Sequence, residues 1–290
     1  MYAQFFGTFL LSHNVVTKDQ LLSALGKKSS QHMKLGTLAI MKGYMTANEV
    51  DNVIISQTHN DCRFGDLAVR EGYLTQEQVD ELVKTQYPDF LLLGQTLVDE
   101  GYITNTQLET LIVDYESENE LTDLDYSNEK QDNLDRILAN FFHTTDVAAD
   151  EYNASYMRLL FNDLTRFIGD DFTPLCFNPC KEYPVNYCVS QTIHGDLSAK
   201  VYLDMPETTC ISFASRYVNE EFTEFDEYVQ ASLEDFLNLH NGLYNVNISN
   251  TLGKELTLEA PEVVSDELIE LSSSSYLLQV MYCLLYTSPS

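Results

Sequence analysis

The sequence has few basic residues. Lys and Arg number 16 among 290 residues, against 45 Asp and Glu, and the formal net charge is −29. A protein that binds the phosphate backbone of nucleic acid needs clustered Lys and Arg to displace counterions, and docking to an anionic membrane surface needs them as well. The composition therefore argues against nucleic acid and against a membrane surface as partners.

Long apolar runs are missing too. No stretch approaches the ~18 apolar residues of a membrane-spanning helix, and residues 1–6 lack the basic flank and cleavage site of a signal peptide. Hydrophobic residues nevertheless make up 44% of the chain and aromatic residues 11%. That content can form compact cores, over a length that suggests two domains. We therefore expect a cytoplasmic protein of two folded parts.

Fingerprints of familiar enzyme classes are also absent from the sequence. It contains no P-loop, no dinucleotide-binding glycine motif and no Ser-His-Asp arrangement. Cys176, Cys180 and Cys188 lie close in sequence to His194, but their spacing is not that of a recognised zinc knuckle. Without an export signal, free reduced thiols are expected. We predict no metal site and no intrinsic cofactor.

Acidic residues are concentrated in the second part of the chain. Residues 1–115 carry 14 acidic and 8 basic side chains, which leaves 31 acidic and 8 basic ones, a net −23, for the remainder. The stretch that follows residue 115 is polar, acidic and without periodicity, which predicts a solvated linker over 116–131. A second domain is predicted over 132–283. Residues 284–290 form a tail of doubtful origin.

The first domain is a repeat of 29 residues. In each copy a glycine is followed seven positions later by Asn or Gly, and three positions after that by Thr. These positions are Gly7, Gly36, Gly65 and Gly94; Asn14, Gly43, Gly72 and Gly101; Thr17, Thr46, Thr75 and Thr104. Asn or Gly can end a helix in the left-handed conformation, and Thr with Gln or Glu three residues on can form a capping box.

The pattern predicts four all-α helix-turn-helix repeats with eight helices. Apolar residues spaced by three and four, among them Ile54 and Val83, predict the buried stripe of each second helix.

The repeats resemble the N-terminal domains of type II secretion and pilus ATPases, the MshEN-like family. In that family a 24-residue motif begins with Arg, Leu and Gly and ends with Gln. The two inner copies span the same 24 residues, one from Lys34, Leu35 and Gly36 to Gln57 and the other from Arg63, Phe64 and Gly65 to Gln86, and the two outer copies depart from the motif. Some family members bind cyclic di-GMP through these ends, so the resemblance implies the same four residues as ligand-binding. The residues themselves fit exposed helix ends equally well, on a surface for protein docking.

The second domain has an α+β pattern. Residues 150–168 predict an amphipathic helix that stops at Gly169. Strand-like runs and two further helices follow. The strands are predicted at 172–177, 185–193, 198–204, 255–259, 268–271 and 276–281, and the helices at 208–217 and 225–244. This order predicts hairpin-linked strands covered by helices.

The helix predicted at 225–244 has two faces. Apolar spacing predicts a buried stripe that includes His240 and Leu243. The opposite stripe holds Asp235, Asn238 and Asn241, and the spacing of three puts the first two on one exposed side. Gly242 allows another backbone or a partner to approach closely.

This helix resembles the active helix of CheX-type chemotaxis phosphatases, relatives of CheC and FliY. Their motif is an acid, two residues, Asn, three residues and Gly, here Asp235 to Gly242, with a Pro just over twenty residues beyond the Asn, here Pro261. The resemblance covers roughly residues 135–283. It implies a phosphorylated CheY-like response regulator as partner, Mg2+ carried by that regulator, and a homodimer joined through its sheets.

The resemblance also implies a role for each site residue. Asn238 would orient water in line with phosphorus, because an amide both donates and accepts hydrogen bonds. Asp235 would pair with the active-site Lys of the regulator, although it is one methylene, about an ångström, shorter than the usual Glu. Two interpretations stay open: an active phosphatase with repeats for docking or regulation, and a non-catalytic adaptor or cyclic di-GMP receptor.

Overall fold

The computed structural model of the chain describes residues 2–28, 31–85, 87–119, 137–141, 151–169, 171–272 and 274–282. The chain divides into two compact units, 1–144 with 173–175, and 145–172 with 176–290. Residues 137–141, which the sequence predicts in the second domain, are helical and lie in the first unit, where Phe141 contacts the ring of Phe5. None of the described helices is long and apolar enough to cross a membrane.

The first unit contains the predicted helix pairs. Its described helices are α1 Tyr2–Ser12, α2 Lys18–Lys28, α3 Leu35–Met41, α4 Ala47–Gln57, α5 Phe64–Arg70, α6 Gln76–Lys84, α7 Asp89–Asp99 and α8 Asn105–Glu118. The four helix-turn-helix repeats are therefore confirmed. Helix α8 continues three residues into the predicted linker. The linker from residue 120 and the tail 284–290 lie outside the described residues.

Every repeat turns through the same backbone geometry. The predicted left-handed residues have φ between 55° and 81° at Asn14, Gly43, Gly72 and Gly101. At the second repeat the Gly43 N–H donates to the Ile40 carbonyl and the Tyr44 N–H to the Ala39 carbonyl, which is the Schellman pattern. The predicted capping boxes are also confirmed, at Thr17, Thr46, Thr75 and Thr104.

The repeated glycine is explained by helix packing. It lies where the first helix of a repeat crosses the second, and an added Cβ would meet the side chain fourteen residues further on. That contact would be 2.8 Å at Gly36 with Val50, 3.1 Å at Gly65 with Val79, and 2.5 Å at Gly94 with Leu108. Only glycine lets the two helices approach this closely without displacing a core side chain.

Two apolar positions of the repeats are exposed, contrary to prediction. Ile54 is 44% exposed and Val83 is 72% exposed, whereas Leu25 and Ile112, at the equivalent positions of the outer repeats, are buried. Helices α2 and α8 both pack against helix α7. In α4 and α6 the neighbouring positions Val53 and Leu82 are buried, so only the last position of the stripe is exposed in these two copies.

The second unit has the predicted α+β fold. Its helices are α9 Glu151–Asp163, extended by a π-helical turn Leu164–Ile168, α10 Glu207–Val218 and α11 Glu227–Leu252. Its strands are β2 Glu182–Pro184, β3 Tyr187–Gly195, β4 Ala199–Met205, β5 Leu256–Leu258, β6 Glu262–Ser265, β7 Leu268–Glu270 and β8 Tyr276–Tyr282, together with β1 Phe172–Pro179, of which residues 173–175 group with the first unit. Strand β2, which lies outside the predicted strands, pairs with β7. Helix α11 runs eight residues past its predicted end, to a left-handed Gly253.

Strand β3 is the centre of the main sheet. Strand β4 pairs with it antiparallel, and so do β5 and β6, while β1 pairs with β8. On its helix-facing side Ile193 packs with Tyr244 and Ile248 of α11 and with Leu256 of β5. This apolar cluster holds α11 against the sheet.

A β-bulge separates β5 from β6. Ile193 pairs with Leu258 and Ser190 with Glu262, so the three residues 259–261 lie opposite only two, 191 and 192. One extra residue on one strand bends it and interrupts the ladder. Pro261, which has no N–H to donate, lies in this bulge. The interruption leaves the Glu259 carbonyl available to a side chain.

Candidate functional site

The proposed site residues lie on a well-anchored helix. Asp235 and Asn238 are both exposed, one turn apart on α11, as predicted. The Asp226 carboxylate caps the start of the helix by accepting from two backbone N–H groups. Phe236 packs edge-on against Phe213 of α10, with ring centroids 5.0 Å apart. Side chains on such a helix are positioned more accurately than side chains on a loop.

Asp235 is held by a residue that the sequence does not reveal. The hydroxyl of Tyr217, at the end of α10, donates to Oδ2 of Asp235 across 2.6 Å. Burial raises the pKa of Tyr217, and the neighbouring carboxylate raises it further. The phenol therefore stays protonated and remains a donor. One carboxylate oxygen of Asp235 is thus engaged within the domain.

A shallow cavity of about 390 Å³ opens beside Asp235, between the end of α10 and the start of α11. Tyr217, Phe222 and Tyr228 line it with aromatic rings, and Glu220 adds a second carboxylate. Aromatic walls with carboxylates nearby suit a side chain that has an aliphatic stem and a cationic head.

Asn238 is held from the opposite side of the helix, by the sheet. Its Oδ1 accepts a hydrogen bond of 2.8 Å from Nε2 of Gln191 on β3. Gln191 is 1% exposed. In the sequence Gln191 is one of several polar residues of its strand, beside Ser190 and Thr192, so nothing there singles it out. Long-range contact, not local pattern, connects it with the site.

Two positions of α11 differ from prediction. Asn241, predicted on the exposed stripe, is fully buried and donates through Nδ2 to Oε1 of Gln191. Leu243, predicted in the buried stripe, is exposed. Both errors have one cause. Three residues turn an α-helix by about 300°, which is about 60° short of a full turn. A stripe extended in steps of three, from Asn238 to Asn241 or from His240 to Leu243, therefore moves around the helix and onto another face.

Gly242 lies seven residues after Asp235 and continues the face of Asp235 and Asn238. No described atom lies within 4 Å of a Cβ added there, apart from neighbours in the same helix. The predicted close approach is therefore not made by the described part of the chain itself.

His240 lies in the core, as predicted, and belongs to the support of α11. Its ring is 1% exposed, and Nδ1 lies 2.7 Å from Oδ2 of the buried Asp163 on α9. The ring also packs edge-on against Tyr156, with centroids 4.6 Å apart. This pair links α11 to α9 beneath the exposed face.

The residues that the MshEN resemblance implies are spread over the first unit. Nζ of Lys34 lies 2.5 Å from Oδ1 of Asp99 in an exposed ion pair. Gln57 donates to the Cys62 carbonyl at 2.9 Å. Arg63 is exposed at the start of α5. Gln86 lies outside the described residues, and the nucleotide-binding role of the four stays a prediction.

The described cysteines are free thiols, as predicted, at Cys62, Cys180, Cys188 and Cys210. The side chain of Cys176 lies outside the description. Within the described ranges, no three His, Cys, Asp or Glu side chains come together as a metal site would need.

The part of the chain that holds this site matches a known protein family. Residues 187–283, about a third of the chain, match the family model of the chemotaxis phosphatase CheX. The match includes Asp235, Asn238 and Gln191. No curated protein matches the chain.

Solved structures give a weaker likeness. A CheX chemotaxis protein from Desulfovibrio desulfuricans is 12% identical, with 45% of this chain and 89% of that one covered, at a TM-score of 0.39. A CheC-like superfamily protein from Shewanella sp. PV-4 is 17% identical, with coverage of 46% and 88% and a TM-score of 0.38. A CheX–CheY–BeF3–Mg2+ complex from Borrelia burgdorferi is 15% identical, with 45% of this chain and 95% of that one covered, at a TM-score of 0.34. With scores below 0.5, the domain is identified by the family model and not by these structures.

Proposed function

We propose that this chain, which contains a CheX-like domain, removes the phosphoryl group from the aspartyl phosphate of a CheY-like response regulator. The observation that carries the proposal is the pair of exposed side chains on α11. Asp235 and Asn238 lie one turn apart, the first hydrogen-bonded to Tyr217 and the second to Gln191. A carboxylate and an amide held in this way form a surface that suits a phosphorylated partner.

The proposed reaction needs no nucleophile from the phosphatase. Water attacks phosphorus, the bond between phosphorus and the regulator's aspartyl oxygen breaks, and aspartate and inorganic phosphate leave. Asn238 orients the water, because Oδ1 has a second lone pair beyond the one that Gln191 occupies and Nδ2 has two N–H groups to donate. Positioning of this kind supports phosphoryl transfer, and Mg2+ on the regulator neutralises developing charge.

Asp235 is proposed to bind the regulator. Its second carboxylate oxygen is positioned to meet an ammonium group, such as that of the regulator's active-site Lys. The adjacent cavity, with Tyr217 and Tyr228 in its wall, offers aromatic contact to the aliphatic stem of a basic side chain. We assign the docking of the regulator, or control of the phosphatase, to the repeats. We propose that the protein acts in the cytoplasm.

Phosphate release tests the catalytic proposal. Wild type and Asn238→Ala are compared with a phosphorylated CheY-like regulator as substrate. The matched control is Asn250→Ala, since Asn250 is an exposed Asn on the same helix about 18 Å away. We expect a loss of at least tenfold for Asn238→Ala and none for Asn250→Ala. Equal rates for all three proteins would leave the adaptor interpretation instead.

Calorimetry tests the alternative ligand of the repeats. Cyclic di-GMP is titrated into wild type and into Arg63→Ala. Heat of binding that disappears in the variant would support a receptor role for the repeats. No heat with wild type would restrict the repeats to protein docking.

A further inference from the structure

Gln191 is a buried amide that uses both of its N–H groups and one of the two lone pairs of its oxygen in hydrogen bonds. It lies on the helix-facing side of β3, between the buried Val189 and Ile193. Its Nε2 donates to Oδ1 of Asn238 and to the backbone carbonyl of Glu259, each at 2.8 Å. Its Oε1 accepts from Asn241 at 2.8 Å. Burial of an amide in an apolar layer is costly unless it is paired in this way.

The bulge sets the direction of this amide. The Glu259 carbonyl lies in the interrupted ladder between β5 and β6 and can only accept a hydrogen bond. The Nε2 end of Gln191 must therefore face it, and Oε1 must face α11. A reversed Gln191 would place oxygen against oxygen at Glu259.

The hydrogen bonds on the α11 side of Gln191 have a fixed donor and acceptor order as well. Because Asn241 donates through Nδ2 to Gln191, its Oδ1 faces away and accepts from the hydroxyl of Tyr156 at 2.8 Å. Burial raises the pKa of Tyr156, so its hydroxyl remains a donor. Tyr156, Asn241, Gln191 and Asn238 thus form a chain in which each group has one permitted orientation.

We infer that Gln191 is a positioning residue that fixes the exposed amide of Asn238 with Oδ1 toward the sheet and Nδ2 toward the partner. An exposed Asn without such a partner can turn its amide over, so that Oδ1 and Nδ2 exchange places and only one of the two orientations presents Nδ2 to the partner. The inference rests on the proposed dephosphorylation. In that reaction the fixed amide presents two N–H groups and one oxygen lone pair to water and phosphate.

The test is a double-mutant cycle on the full chain. Phosphate release from a phosphorylated CheY-like regulator is measured for wild type, Gln191→Met, Asn238→Ala and the double variant. Met has nearly the volume of Gln but cannot donate. We expect Gln191→Met to lower kcat about three- to tenfold, the effect of one hydrogen bond. KM for the regulator should not change, because Gln191 is buried.

The double variant separates positioning from a structural role. If Gln191 acts through Asn238, the double variant releases phosphate no more slowly than Asn238→Ala. Unchanged kcat in Gln191→Met, or a double variant that is slower by the full extra factor, would overturn the inference while Asn238→Ala still supports the function. Wild-type activity in Asn238→Ala would instead overturn the proposed function, and this inference with it.

A second variant guards against misfolding of Gln191→Met. Gln191→Glu keeps the shape and the bond from Asn241 but, when ionised, cannot donate to Asn238. Protonation restores one donor for two acceptors, Oδ1 of Asn238 and the Glu259 carbonyl, so we expect its kcat relative to wild type to recover in part as pH falls from 8 toward 5. A ratio independent of pH would contradict the inference.

Discussion

The hydroxyl of Tyr217 donates to the carboxylate of Asp235 across 2.6 Å and joins the end of α10 to the exposed face of α11. The two helices also meet through the rings of Tyr217 and Phe236, whose centroids lie 5.6 Å apart. The ring contact packs the helices, and the hydroxyl orients the carboxylate. These two contributions can be separated by removing the hydroxyl alone.

Tyr217→Phe should weaken regulator binding and leave the fold intact. The ring contact with Phe236 persists, but Asp235 loses a hydrogen bond to its charged group and becomes free to rotate. We expect KM for the phosphorylated regulator to rise about three- to tenfold with a smaller change in kcat. Tyr228→Phe is the control, because Tyr228 lines the same cavity and is 65% exposed. If both variants keep the wild-type KM, Tyr217 does not orient Asp235 for binding.

The same substitution at two helical glycines should change stability in opposite directions. Gly36→Ala brings its Cβ to 2.8 Å from the stiff, buried Val50, and overpacking costs about 1–3 kcal/mol. Gly242→Ala enters open space within a helix and should stabilise by roughly 0.5–1 kcal/mol. Urea denaturation measures both free energies of unfolding. In a Val50→Ala background the new methyl group has room, so Gly36→Ala should no longer lower the free energy of unfolding there. If it lowers that free energy as much as in wild type, the contact with Val50 is not the cause.

Gly242→Ala should also reduce function despite its added stability. The new methyl group stands on the face of Asp235 and Asn238, where a partner that approaches closely would meet it. We expect a higher KM for the regulator, measured by phosphate release at varied regulator concentration. An unchanged KM would show that the docking face stops short of Gly242.

The His240–Asp163 pair should be a large single contribution to the second unit's stability. Asp163→Ala leaves Nδ1 of His240 buried and without its acceptor, at a cost of about 1.5–3 kcal/mol. The double variant Asp163→Leu with His240→Leu replaces the pair by apolar side chains and should be less destabilised than the sum of its single changes. Chemical denaturation of wild type, Asp163→Leu, His240→Leu and the double variant measures this coupling. Additive changes would contradict it.

Two buried thiols should resist modification. Burial raises the pKa of Cys188 and of Cys210 to about 12, with the charge of Asp204 adding to both shifts. At pH 8 we expect a thiol reagent to modify the exposed Cys62 well before these two, as read by mass spectrometry of the modified peptides. Equal rates at Cys62 and Cys188 would show that the strand opens readily.

The same shifts predict a loss of stability in alkali. A thiol with an ordinary pKa of 9.0 ionises in the unfolded chain while the folded one stays protonated up to about 12. The unfolded state therefore binds fewer protons across this window, and the free energy of unfolding falls as pH rises from 9 to 12. Cys188→Ala should reduce that slope. A slope that does not change would assign it to other groups.

Features that depend on contacts between near neighbours in the chain could be predicted from the residues alone. The turn glycines, the capping boxes and the helix ends follow from contacts within a few positions, so a 29-residue repeat was enough to predict eight helices. The exposure of Asp235 and Asn238 follows from the period of one helix. The roles proposed for Asp235 and Asn238 come from the resemblance to the CheX family. The model of that family matches residues 187–283, which contain both side chains.

The side chains that support Asp235 and Asn238 are known only from the folded structure. Tyr217 and Gln191 lie 18 and 47 positions from their partners, and no local pattern relates such distances. The same is true of Ile54, since an apolar position on a helix is buried only if a neighbouring element covers it. The one-residue bulge at Pro261 belongs to the same class: it exists only in the register of β5 and β6 against β3. Local physics sets elements and their faces, whereas the orientation of a functional amide requires a chain of contacts across the fold.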